Sequence, residues 1–80
     1  AYPNPFNSSS NIEFQIPEDI NVEIKIFDIS GKEVRTKNFG FMTKGKYVYR
    51  LDGKDIPSGL YFYQMRTKNY SNTKKFILLK

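Results

Sequence analysis

Eighty residues allow one domain, which must hold together with a core that covers only about 60% of its unfolded surface. A chain without Cys or His has no disulfides, no thiolate metal site, and neither the commonest general base nor the pH switch that titrates near neutrality. Nothing approaches 18 consecutive apolar residues, so no segment is expected to span a membrane. The net charge of +5 is unevenly spread: residues 1–40 carry four basic and six acidic side chains, residues 41–80 nine and two. No acidic residue follows Asp55, whereas Arg66, Lys68, Lys74, Lys75 and Lys80 do. Such polarity is expected either to attract an anionic partner to the C-terminal hairpin, an attraction that salt weakens, or to serve only as a solvated, soluble surface.

The two prolines of Tyr2-Pro3-Asn4-Pro5-Phe6-Asn7 hold the backbone extended and withhold two N–H donors, which suits a lead-in segment over residues 1–10 rather than a central strand. This stretch has no charged n-region and no apolar h-region, so it does not read as a signal peptide. Ile12, Phe14 and Ile16 then alternate with Glu13 and Gln15, the mark of a half-buried strand ended by Pro17-Glu18-Asp19. Val22–Ile26 alternates in the same way, and the phase blurs at Phe27-Asp28-Ile29, which marks either a bulge or a stretch covered on both faces. Ser30-Gly31 signals a tight turn into a return strand over Lys32–Phe39, whose thin apolar content and Arg35 and Lys37 predict an edge. Gly40–Lys46 reads as a loop.

Tyr47, Tyr49 and Leu51 share the next strand face, and Asp52–Gly59 is dense in turn chemistry. The last third, Gly59–Lys80, reads as one hairpin: a strand with Tyr61, Tyr63 and Met65 on one face, a turn at Lys68–Asn72, and a strand over Thr73–Leu79. Six or seven short strands at this spacing predict an all-β immunoglobulin- or fibronectin-III-like antiparallel sandwich. Tyr61 follows a Pro-Ser-Gly turn, the placement from which such sandwiches send a tyrosine hydroxyl back to the upstream backbone. The apolar run Phe76–Leu79 also suits a strand exchanged between two copies.

Few residues invite chemistry. Asp52 and Asp55, with Lys54 between them, fall short of the five or more oxygen ligands of a calcium loop and read as turn formers. The serines all lie in predicted turns, and without His no Ser–His arrangement can form, so no enzyme is expected and no cofactor is implied. Basic and aromatic residues interleave as in single-strand nucleic-acid binders, yet Tyr47, Tyr49, Tyr61 and Tyr63 keep period-two register with the core face, which argues against nucleic acid as a partner. Phe39, Phe41, Tyr70 and Phe6 fall off that face; in an exposed row they would make a carbohydrate-binding surface, and otherwise they cap the open end of the sandwich.

Taken in order, Tyr2–Asn7 with Ser10, Val22–Asp28, Ser30–Val34, Asp52–Asp55, Pro57–Tyr61 and Lys74–Lys80 resemble the type A C-terminal sorting domains of the type IX secretion system across essentially the whole chain. Leu51 stands where that family often has Trp, and Ser10 where Thr is commoner. The resemblance implies an immunoglobulin-like module, related to one in the flagellar hook-capping protein, at the end of a larger cargo protein. It further implies passage through the periplasm and the outer-membrane translocon of a Gram-negative bacterium to the cell surface or medium. A sortase-like surface protease that removes the module, and attachment of the cargo to an anionic lipopolysaccharide, would follow in many members. The residues it points to for recognition are Gly59 and Tyr61, which shape the start of the strand, with Lys74, Lys75 and Lys80 on the last strand. Kin of the family that serve as plain structural or docking modules are the alternative it leaves, with carbohydrate binding a further one.

Overall fold

Alternation of apolar and polar residues dictates strands throughout, and six of them form: β1 Ser9–Ile16, β2 Ile20–Asp28, β3 Glu33–Met42, β4 Gly45–Asp52, β5 Gly59–Arg66 and β6 Ser71–Leu78. The structure is a computed structural model that describes residues 9–79, with side chains from residue 11 onward. Phe6 and Lys80 therefore lie outside the described residues, as does the 1–8 part of the expected lead-in.

Two antiparallel sheets face one another, β4-β1 and β3-β2-β5-β6. The chain crosses from one sheet to the other at the β1–β2, β3–β4 and β4–β5 connections. Ile12, Phe14, Ile16 and Leu51 project from the small sheet, and Val22, Ile24, Ile26, Tyr61, Met65 and Leu78 meet them from the large one. Ile56 drops into the same core from the β4–β5 loop, where its amide donates to the Gly53 carbonyl at 3.1 Å. Each aliphatic side chain buried this way contributes about 1.5–3 kcal/mol, which is why a strict period of two suffices to hold so small a domain.

Four features depart from the expected layout, the first being that β1 already begins at Ser9, inside the expected lead-in, because Ser9 and Ser10 pair with Asp52 and Leu51 of β4. β3 runs on through Gly40 to Met42, so the predicted loop shrinks to Thr43-Lys44 between strands. The extension is possible because the β2–β3 register shifts between Val22 and Glu23, and Gly40 absorbs the irregularity with a φ of 73°. A second shift between Ile26 and Phe27 decides for a bulge between the two readings of the blurred phase, and β3 is an edge strand as expected. The turn at Ser30-Gly31 spans Ile29–Lys32 rather than two residues. Asp28 organises it: its carboxylate accepts from the Ser30 hydroxyl at 2.6 Å, the Ser30 amide at 2.9 Å and the Lys32 amide at 3.0 Å, and Gly31 supplies a φ of 87°. β6 likewise begins two residues earlier than predicted, at Ser71.

Aromatic rings fasten the flanks. Phe39 meets Phe14 at 5.6 Å and Tyr49 edge-on at 5.4 Å, and Phe14 stacks on Tyr47 at 5.7 Å. Phe39 is thus part of the core's margin, and Tyr70 also packs against the core, leaving Phe41 exposed. Among the described residues these rings form no exposed row.

Candidate recognition surface at the closing hairpin

β5 and β6 pair without interruption from Gly59–Leu78 to Arg66–Ser71. The turn between them closes on itself. Thr67 accepts amide hydrogens from Asn69 and Tyr70 on its hydroxyl oxygen at 3.2 and 3.1 Å, and its own amide donates to the Tyr70 carbonyl at 2.9 Å. Asn69 then donates to the Glu18 carboxylate at 3.3 Å, and Asp19 accepts the Lys44 amide at 2.7 Å. All three connections at this end of the sandwich are therefore joined.

On the inner face of the hairpin, Tyr61 is 4% exposed and stacks on its cross-strand partner Phe76 at 5.8 Å. Its hydroxyl donates to the Pro57 carbonyl at 2.6 Å, the backward reach expected from the Pro-Ser-Gly turn. Burial, with the Asp28 carboxylate as a lesser cause, holds its phenol above the ordinary tyrosine range. Tyr63 lies between core and surface, its hydroxyl donating to the Glu13 main-chain oxygen at 3.2 Å across the gap between the sheets. Its pKa is raised as well, by burial first and the Glu13 carboxylate second.

Of the residues singled out for recognition, Gly59 opens β5 opposite Leu78 and Tyr61 is consumed by the core. Lys74 and Lys75 are exposed in mid-β6, opposite Tyr63 and Phe62. The strand thus divides its labour: Phe76 and Leu78 turn inward while Lys75 and Ile77 sit on the outer face. Asp52, once a conceivable metal ligand, accepts the Lys54 amide at 3.1 Å and makes its turn.

Sequence reasoning missed one pair. Leu60 and Ile77 are direct cross-strand partners on the outer face, 39% and 57% exposed. Leu60-Tyr61-Phe62-Tyr63 is apolar on both phases, which is the signal that both faces matter, but periodicity alone could not say which turns outward.

Two expected outcomes follow from the tyrosines and carboxylates. Among the described residues the buried Tyr70 hydroxyl has no hydrogen-bond partner, and burial, then Glu18, raises its pKa. Replacing it by phenylalanine removes an unsatisfied polar atom, so Tyr70→Phe should raise stability by about 1 kcal/mol in urea melts. A loss of stability would reveal a partner for that hydroxyl. The second concerns pH. Hydrogen bonding to Ser30 lowers the Asp28 pKa, and hydrogen bonding to Lys25 lowers that of Glu33. The Lys25–Glu33 pair is 2.8 Å apart. A lowered folded pKa gives stability that is present above the unfolded value of about 4 and lost as pH falls through the folded one. The three raised tyrosines give the opposite limb, lost as pH rises above about 10. The urea midpoint should therefore be flat between those limits and fall on both sides. An acid limb as steep in the Asp28→Asn, Glu33→Gln double variant as in the parent would refute its assignment.

Comparison with known proteins adds a family and a fold. The family described as "Secretion system C-terminal sorting domain" matches residues 1–79. Among solved structures, FlgD from P. aeruginosa is similar, with a TM-score of 0.70 at 23% identity over 88% of this chain. The matched region is 59% of that chain, and at this identity the likeness is one of fold. No curated protein matches the sequence.

Proposed function

The chain belongs to the family of secretion system C-terminal sorting domains, the export signals of the type IX pathway, and on that premise we propose that its closing hairpin is the surface the export machinery reads. The observation that carries this reading is the division within the hairpin. Tyr61, Phe76 and Leu78 are spent on the core, whereas Lys74 and Lys75 stand exposed on β6, an edge strand of the large sheet. Gly59 and Tyr61 then act by fixing the strand, and Lys74, Lys75 and Lys80 by meeting an anionic surface of the translocon. The domain serves as a non-catalytic tag on a cargo, delivered to the cell surface or the medium, where a sortase-like protease releases the cargo from it.

The test is export of a periplasmic reporter fused to residues 1–80 in a host with the secretion apparatus. The reporter should reach the surface or medium. Retention in the periplasm with the domain folded would overturn the reading, and would leave the FlgD-like fold as a structural module.

A further inference from the structure

The two edges of the large sheet are not equivalent. β3 pairs with β2 through two register shifts, and such bulges bend an edge and break the row of main-chain groups that a further strand would need. β6 pairs with β5 through eight consecutive positions without a shift, and among the described residues no strand lies against its other side. Its rim is a regular, solvent-facing template. Ser71–Lys75 are all exposed, and a cleft of about 180 Å³ between β1 and β6 leaves Lys74 uncovered on the inner side.

The side chains along this rim are selective. A second β6 would set lysines against lysines, so the edge discourages pairing with itself. Lys75 lies on the open outer face beside Ile77, whose cross-strand neighbour is the exposed Leu60. Lys74 shares its cleft with Glu13, so the stronger pull on an anion comes from Lys75. From this we infer that the free edge of β6 is a strand-addition site for an extended acidic segment of another protein. A carboxylate of that segment lies against Lys75, and an apolar side chain lies against Ile77, which Leu60 backs from β5. Main-chain hydrogen bonds supply affinity in this mode of recognition, and the alternate side chains supply specificity. The inference rests on the reading of the hairpin as the recognised surface and names the chemistry of its partner segment.

The test uses the whole chain, isotope-labelled, and two capped ten-residue peptides of alternating valine and threonine. One carries two glutamates at its centre and the other two lysines. The glutamate peptide should shift and protect from exchange the alternate β6 amides directed away from β5, and the lysine peptide should bind about tenfold more weakly. Lys75→Glu, checked for folding by circular dichroism, should invert that order. Equal binding of the two peptides, protection centred on β3 or β4, or self-association of the chain through β6 would each overturn the proposal. Running the reporter assay beside it separates the two readings: export without peptide protection removes the strand-addition site alone, and protection without export removes the sorting reading alone.

Discussion

Tyr61→Ala should lower the stability of the domain by about 3–5 kcal/mol, and Tyr61→Phe by about 1 kcal/mol. The larger figure combines a cavity beneath the stacked Phe76 ring with loss of the hydroxyl bond to Pro57. The smaller one isolates that bond, since Pro57 is exposed and water can replace the donor at its carbonyl. At about 0.05–0.15 kcal/mol per residue the whole domain commands roughly 4–12 kcal/mol, so the alanine variant approaches the unfolding threshold. Thermal melts should register the phenylalanine variant as a fall of about 4–8 °C. Should Tyr61→Phe melt with the parent, the hydroxyl bond would be incidental and the ring alone would carry the site. Export should fail with Tyr61→Ala and persist with Tyr61→Phe, because the residue acts through the fold.

The second large effect separates structure from recognition within β6. Leu78 is fully buried at the end of the strand, and Leu78→Ala should cost about 2–5 kcal/mol. Reversing Lys74 and Lys75 to glutamate touches only exposed side chains and should leave stability within about 0.5 kcal/mol. The same reversal should abolish export. Urea denaturation and the reporter assay on both variants decide the matter. Normal secretion of the lysine reversal would show that β6 is structural only, and a destabilisation as large as that of Leu78→Ala would show that the lysines belong to the fold.

What was legible in the sequence was whatever the chain does over a few residues. Period-two alternation fixed β1 and β2 because a strand sends successive side chains to opposite faces. The blurred phase at Phe27 marked an irregularity that the structure resolves as a bulge, and Pro57-Ser58-Gly59 ahead of Tyr61 disclosed the hydroxyl's return to the upstream backbone, which proves to be the Pro57 carbonyl. The Gly40 bulge left no such mark. It exists because β3 must stay in register with β2 on both sides of Phe39, a constraint that arises only between strands. For the same reason Phe39 and Tyr70 fell off the predicted core face, and the sequence could not separate an exposed row from a cap on the open end of the sandwich. Phe39 is covered by Phe14 and Tyr49 from the other sheet, and Tyr70 packs against the core, neither of which local periodicity reveals.

The candidate surface divides along the same line. By itself the sequence determined that positive charge gathers after Asp55, that the last third is a hairpin, and that Tyr61 belongs to the core, since charge counts and local periodicity need no partner strand. Only the tertiary structure decided that β6 is, among the described residues, an edge strand of the large sheet, that its edge is regular while that of β3 is bulged, and that Leu60 and Ile77 meet on the outer face. Strand order and register are set by which apolar faces bury each other, and a stretch apolar on both phases leaves that choice to packing.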